Sequence, residues 1–568
     1  MERFGTKTIR KDKRSIAYFS MEIGLNSDIP TYSGGLGVLA GDTIKSCADL
    51  NVPLVAVTLL YRKGYFFQKL DSNGNQIEAD VKWNPQDHLT KLKDRIKVKI
   101  EGKNVEITAW QYDITGIENY TIPVIFLDTD IKENSEFNRS ITDKLYGNDH
   151  KYRLCQEIML GIGGMRMLEK LGYKKIKKYH MNEGHSSLLT LELLRKEIAD
   201  SKKRIKLKAN DSIRSRCVFT THTPVPAGHD QFPLDLVKSV LGEIVPFEEI
   251  ESVSHEGKLN MTYLALENSQ YINGVAKKHG EVSRKMFPGY LIDSITNGVH
   301  SATWTSRHFK DLYDRYIPGW KNDSFSLRYA LNIPGNEIWN AHIKAKEGLF
   351  TSIKEKTGIE MSTDVFTIGF ARRCTEYKRG DLLLSNIDRL KDIAENIGPL
   401  QIIYSGKAHP KDSAGKELIR KIFSKINRMK GSIKAIYLEN YDMNTAGLIV
   451  SGVDLWLNTP MRPLEASGTS GMKACHNAVP NLSVLDGWWI EGHLEDITGW
   501  SIGNRNPENS WCDDAKDIYD KLEIKIMPKY YNQRDEWIDV MKHSIAYNAS
   551  FFNTHRMIHQ YVLNAYFK

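Results

Sequence analysis

Short apolar runs alternate with segments of helical period along this chain. From Ser15 the run IAYFSMEIG is apolar and β-prone. Gly34, Gly35 and Gly37 follow, and Leu39, Ile44 and Leu50 then recur at helical spacing, which predicts strand, glycine loop and helix. VPLVAVTLLY, Val52–Tyr61, reads as a fully buried strand. The same unit recurs in YHMNEGHSSLLTLELL, a strand ending at Asn182 or Glu183 with a helix from near Ser186. It recurs again in RCVFTTHTPVPAGHDQFP, whose strand ends at Thr220–Thr223. Arg153–Leu171 presents Leu154, Ile158, Ile162, Met165 and Leu168 on one helical face. Gly161, Gly163 and Gly164 within it each cost about 1 kcal/mol relative to alanine, so they predict close backbone packing. Ser269–Gly280 reads as a helix, and LIDSITNGVHSATW as a strand before a turn at Asn297 and Gly298.

Residues 62–130 break the alternation. Polar and apolar positions alternate through RIKVKIEGK and VEITAWQYDI between Asn- and Gly-bearing turns, which predicts antiparallel hairpins inserted into an α/β domain. From VFTIGFARRC onward the strand–helix rhythm resumes: helix in EYKRGDLLLSNIDRLKDI, strand in LQIIYSGKAH, helix from Lys411, strands in SIKAIYLENY and DLWLNTP. The expected fold class is α/β, with two doubly wound Rossmann-like domains facing across a cleft. The domains are placed at 1–300, with the 62–130 insertion, and at 301–540. A helical, aromatic-rich 541–568 is expected to return to the first domain.

Length supports this division, since 568 residues exceed a single core. Charge changes little: 78 Lys+Arg against 70 Asp+Glu leave +8, and the lysine runs at Lys91–Lys103 and Lys202–Lys208 read as solvated faces. No clustered, aromatic-interleaved basic patch points to nucleic acid. The six cysteines are scattered without a C-x-x-C pair, so neither a zinc site nor a disulfide framework is expected. No apolar run approaches a membrane span, and MERFGTKTIRKDKR has no apolar leader core. A reduced, cytoplasmic setting is the expectation.

Ligands of open α/β sheets bind beyond the carboxyl ends of the strands. Glu183, His185 and His222 fall there in the first half. In the second half, Arg372, Arg373, Lys378 and Arg379 crowd one strand end around Glu376 and Tyr377, as expected around a phosphate dianion. Arg462–His476, RPLEASGTSGMKACH, is a strand-to-helix loop whose small residues admit an anion to backbone N–H groups. Lys473, placed in the first helical turn, would pair with that anion or form a Schiff base to a carbonyl cofactor. A glycine-rich turn with a solvated lysine reads equally well from this stretch alone. No P-loop, H-E-x-x-H or G-x-S-x-G motif is present.

EASGTSGMK, RRCTEYKR, SGKAHP, YLENY, THTPVPAGH, NEGHSSL, ITNGV and YSGGLG, in their order along the chain, resemble the α-glucan (glycogen, starch and maltodextrin) phosphorylases, and more narrowly their short bacterial and archaeal branch. The resemblance implies a GT-B architecture and pyridoxal 5′-phosphate bound as a Schiff base to Lys473. It implies phosphorolysis of an α-1,4-glucan by inorganic phosphate to α-D-glucose 1-phosphate with retention, the cofactor's phosphate acting as acid and base and no metal taking part. Arg373 and Lys378 would hold the substrate phosphate, with Gly34, Gly35 and Leu36 beside it and Tyr377 in the same loop. His222 would hydrogen-bond the glucosyl unit. Asn297, Glu465, Ser467 and Gly468 would bind sugar hydroxyls, and Thr469, Ser470 and Tyr441 the cofactor phosphate. The family commonly dimerises, which implies a homodimer.

The chain departs from the family pattern in three places. Asp442 stands where the family has an arginine, so Arg372 is the expected substitute at the cofactor phosphate. Thr375 replaces a common histidine, and Ser470-Gly471 replaces Gly-Asn. A nucleotide-sugar glucan synthase shares the architecture and the glycine loop, but needs no Schiff-base lysine. A non-catalytic glucan-binding protein has no use for His222, Arg373, Lys378 and Lys473 together.

Overall fold

In the computed structural model, side chains along the first strand alternate between two apolar cores. Ala17 and Phe19 join one, Ile16 and Tyr18 the other. Burial of both faces is the reason this strand reads as a continuous apolar run. The structure describes residues 10–147, 149–202, 205–208, 210–225, 228–503 and 511–567, without the side chains of 511–513. The first nine residues, Lys203 and Arg204 of the second lysine run, Pro226 and Ala227 of THTPVPAGH, and the Cys512 side chain lie outside the described residues.

The chain falls into two units. One takes the described residues up to Phe66, Asp80–Thr296 and those from Met557 onward; the other takes Phe67–Ala79 and Asn297–Arg556. In the first, a nine-stranded sheet is built from β1 (Ile16–Ser20), β2 (Leu54–Leu59), β3 (Thr90–Ile100), β4 (Lys103–Thr115), β5 (Thr121–Asp128), β6 (Lys178–Asn182), β7 (Cys217–Thr220), β8 (Tyr271–Gly274) and β9 (Asp293–Ser294). The spatial order is β9-β8-β7-β6-β1-β2-β5-β4-β3, parallel from β9 to β5 and antiparallel from β5 to β3. The antiparallel strands expected from 62–130 therefore extend the main sheet, because β5 pairs in parallel with β2. Only Phe67–Leu70 and Gln76–Ala79 form a separate hairpin, and it belongs to the second unit.

The helix expected over Ser269–Gly280 is instead β8 followed by a helix at Lys277–Met286. Tyr271 and Ile272 are an aromatic and a β-branched residue facing a sheet neighbour, and this short buried run follows the strand preference. Arg153–Leu171 divides into helices His150–Ile158 and Gly164–Lys170 around a wide turn at Met159–Gly163. The glycines permit close approach: a Cβ on Gly161 would lie 2.8 Å from the Leu189 amide nitrogen, and one on Gly164 2.7 Å from the Phe19 ring. The C-terminal Tyr561 and Tyr566 reach the sheet of the same unit, bonding Thr220 at 3.1 Å and His180 at 2.7 Å.

The second unit has a six-stranded parallel sheet of β10 (Phe366–Ala371), β11 (Leu400–Ser405), β12 (Lys434–Leu438), β13 (Leu455–Asn458), β14 (Asn481–Val484) and β15 (Gly499–Ile502), in the order β12-β11-β10-β13-β14-β15. The helix expected from EYKRGDLLLSNIDRLKDI begins only at Ile387, where Asn386 caps it by accepting the Arg389 N–H at 3.0 Å. Upstream, Arg379 has a left-handed backbone (φ 46°), which breaks the helical path. The helical stretch expected from residue 541 onward is likewise interrupted: Arg534–His543 and Thr554–Tyr561 are helices separated by a wide turn and a break. Among the described residues no helix is long and apolar enough to cross a membrane, and Cys47, Cys155, Cys217, Cys374 and Cys475 are buried and unbridged.

Candidate active site

In the second unit, β13 feeds the loop that ends at Gly468 (φ 90°), and Thr469 begins the helix Thr469–Cys475. Lys473 is thus its fifth residue, in the second turn rather than the first. A Cβ at Gly471 would lie 2.3 Å from Asn481 Oδ1, so only glycine lets this helix lie against β14. The Lys473 Nζ lies 3.8 Å from the centre of the Trp304 ring. Asn477 holds both residues, donating to the Lys473 carbonyl at 3.0 Å and the Trp304 carbonyl at 2.8 Å. Ser470 Oγ accepts from Trp456 Nε1 at 3.2 Å.

The four clustered cations separate into different environments. Glu465 Oε2 accepts from Arg372 Nη2 at 2.5 Å and Lys378 Nζ at 2.7 Å, all three residues being buried. Burial would raise the Glu465 carboxyl, but the two cations outweigh it and hold it down at about 2. Arg379 is consumed by the fold, donating to the Thr459 and Pro460 carbonyls at 2.9 and 3.0 Å and to Asp514 at 2.5 Å. Arg373 is exposed. Tyr377 is half-buried, with the Lys378 Nζ 4.5 Å from its ring centre. Arg372 Nη1, Ser467 Oγ, Asn297 Oδ1 and Thr375 Oγ1 are buried with no hydrogen-bond partner among the described residues.

Tyr441 is half-buried at the end of the loop after β12. The neighbouring Asp442 caps the helix Met443–Gly452, accepting the Thr445 N–H at 2.7 Å. An acid at this position thus completes the local helix. Two residues of this unit's arrangement escaped the sequence reading. Asp486 accepts the Glu465 N–H at 2.8 Å and the Gly487 N–H at 2.9 Å. Burial, helped by nearby Glu465, pushes its carboxyl up to about 7. Trp304 is the other. Asp486 ends the apolar run NLSVL and precedes a glycine, the strand-end signal that identified the other loops.

In the first unit the glycine loop is fixed by a buried acid the pattern also concealed, Glu22. Its Oε2 accepts the Ser33 N–H at 2.5 Å and the Gly34 N–H at 3.1 Å, while its Oε1 accepts from Tyr146 at 2.6 Å. A Cβ at Gly34 or Gly35 would meet nothing within 4 Å, so this backbone is open to a ligand; Leu36 is half-buried beside it. Glu183 (φ 72°) joins two strand ends: its Oε2 accepts from the His222 N–H at 2.8 Å and Thr223 Oγ1 at 2.9 Å, its Oε1 from the Gly184 N–H at 3.1 Å. Asn182 Nδ2 donates to Ser20 Oγ at 3.0 Å, which aims Asn182 Oδ1 at His222 Nε2, 2.6 Å away. His222 therefore carries its proton on Nε2 and a lone pair on Nδ1. Burial, reinforced by His279, His180 and His185, pushes it down to about 3, so the ring is neutral. His185 turns away, its Nε2 lying 3.5 Å from Asp230 and its Nδ1 buried without a hydrogen-bond partner among the described residues.

The cationic strand end around Glu465, and the glycine-led helix with buried Lys473 that follows Glu465 in the chain, lie within the stretch matched by the carbohydrate phosphorylase family, residues 246–497. With near-full-length relatives of the same kind, the chain belongs to that family. It is 41% identical to the maltodextrin phosphorylase of Thermococcus litoralis, over 98% of this chain and 71% of that one. It is 35% identical to the glycogen phosphorylase of Aquifex aeolicus, over 98% and 86%, and 32% identical to an uncharacterized protein of Methanocaldococcus jannaschii, over 97% and 99%.

Proposed function

We propose that this protein is a cytoplasmic α-1,4-glucan phosphorylase that cleaves the non-reducing end of glycogen, starch or maltodextrin with inorganic phosphate, releasing α-D-glucose 1-phosphate with retained configuration. In this reading the two units adopt the GT-B arrangement, the cofactor is pyridoxal 5′-phosphate on Lys473, and the enzyme is a homodimer. The observation that carries it is that the loop bearing Glu465, which binds buried Arg372 and Lys378, leads directly into the helix that carries buried Lys473. The donor set fits the cofactor, because Arg372 Nη1 is buried with no hydrogen-bond partner among the described residues. When bound, the cofactor supplies a phosphate that relays a proton to the substrate phosphate.

The chain's own residues divide the remaining work. Arg373, exposed at the strand end, and Lys378 bind inorganic phosphate, and ionised Glu465 orients Lys378 by accepting from its Nζ. Thr469, Ser470, Tyr441 and Arg372 hold the cofactor's phosphate. Gly34 and Gly35 offer open backbone N–H groups to an anion. Neutral His222 accepts a hydrogen bond from a sugar hydroxyl at Nδ1 and adds no positive charge near an oxocarbenium-like centre. Asn297, Ser467 and Gly468 complete the hydroxyl contacts. Incubation with maltodextrin and phosphate is expected to yield glucose 1-phosphate, and borohydride reduction a pyridoxyl group on Lys473 that Lys473→Ala abolishes. A protein showing neither result refutes the reading.

A further inference from the structure

The hairpin Phe67–Leu70/Gln76–Ala79 has no part in the chemistry above, yet it is tied to two strand ends of the second unit. Gln68 and Gln76 share one face of the hairpin and are 0% and 8% exposed. The Gln68 N–H donates to Asn440 Oδ1 at 3.1 Å, and its Oε1 accepts the Asn440 N–H at 2.9 Å. Its Nε2 donates to the Gly406 carbonyl at 2.8 Å and to Gln76 Oε1 at 2.9 Å. Gln76 completes the set around Ala408, accepting its N–H and donating to its carbonyl, both at 2.9 Å. Two neutral amides thus satisfy the backbone where the β11 and β12 ladders end, without the cost of burying a charge.

Both loops need outside support. Asn440 has a left-handed backbone (φ 53°), and Gly406 (φ 156°) passes so close to the Arg372 carbonyl that a Cβ would lie 2.0 Å from it. The connection continues to the cations, since the Lys407 carbonyl accepts the Cys374 N–H at 2.9 Å, next to Arg373. Lys407 lies between the two anchored residues, and Tyr441 follows Asn440. Burial, opposed by Asp442, lowers Lys407 to about 8.

We propose that Gln68 and Gln76 are positioning residues that set the Gly406–Ala408 and Asn440–Tyr441 loops, and through them Arg373, for binding of inorganic phosphate. This rests on the phosphorylase reading and extends it to residues in no catalytic loop.

The test compares Gln68→Ala and Gln76→Ala holoenzymes with wild type. The phosphate KM is expected to rise about tenfold or more, with kcat and the glucan KM changing less, because small misplacements of binding groups have large costs. Asn75→Ala removes the exposed 2.8 Å bond from Asn75 Nδ2 to Asp71 Oδ2 in the turn of the same hairpin and is expected to leave the kinetics unchanged. Should Gln68→Ala not fold, Gln76→Glu, which keeps the acceptor for Ala408 and loses the donor, makes the same comparison. A phosphate KM within twofold of wild type, or phosphate and glucan KM rising together, overturns the proposal. Calorimetric titration with inorganic phosphate gives the same reading without turnover: about tenfold weaker binding by the variants supports the proposal and equal binding overturns it. An inactive wild type would therefore count against the phosphorylase reading alone.

Discussion

The strand ends of the two units solve different electrostatic problems. In the first unit a neutral His222 is oriented by Asn182, and the carboxylates of Glu22 and Glu183 are occupied by backbone N–H groups and hydroxyls. In the second, a single carboxylate, Glu465, is shared by two buried cations while a third cation, Arg373, faces solvent. Neutral hydrogen-bonding groups suit a sugar, and paired cations suit a dianion. Both use a buried acid as the organising group. The acid binds backbone donors in one case and side-chain cations in the other, which decides whether the loop presents dipoles or charge.

That contrast is most exposed at Glu465. Glu465→Ala leaves Arg372 and Lys378 buried without a counter-charge and is expected to cost about 3–5 kcal/mol in denaturant unfolding, with a changed phosphate KM. A smaller effect is expected from His222→Ala: kcat/KM for glucan falls about a hundredfold, the loss of one or two hydrogen bonds, while the phosphate KM stays near wild type. If the phosphate KM moved instead, the division between the units would fail. Glu22→Gln keeps an acceptor but loses the charge that binds Ser33 and Gly34, and should lower kcat/KM about tenfold.

The contrast also shows in the pH dependence of stability. His180, His185 and His222 are pushed to about 3 by burial. Their unfolded forms protonate near 6.5 while the folded forms do not, so their contribution is intact above 6.5 and declines as pH falls towards 3. Asp486 has the opposite sign: its raised folded value favours the fold below 3.8, and that advantage is lost as pH rises through about 7. Melting curves between pH 5 and 8 are expected to show the first unit's spectroscopic signal weakening at the acid end. Equal melting across that range would remove the contrast.

Much of this was legible along the chain. Strands β1, β2, β6, β7 and β10–β13 are apolar because both sheet faces are covered, and the polar residues after several of them are the candidate site residues of each unit. Local pattern misread Ser269–Gly280, where a four-residue strand adjoins a helix and neither period has room to assert itself. It also set 62–130 apart from the sheet that β5 joins. Asp442 looked like a missing phosphate contact, and the structure gives it a helix to cap.

By itself the sequence determined the α/β alternation, the strand-end loops, and the set of chemical groups they carry: lysine, arginines, histidine and open glycine backbone. These are local properties, written in periodicity and in residue type. Only the tertiary structure decided which cation is bound to Glu465, which is consumed by Asp514 and which remains exposed. It alone placed the proton on His222 Nε2, and it alone joined Gln68 and Gln76 to loops more than 300 residues away in sequence. Such assignments depend on long-range hydrogen bonding and burial, which composition and spacing do not encode.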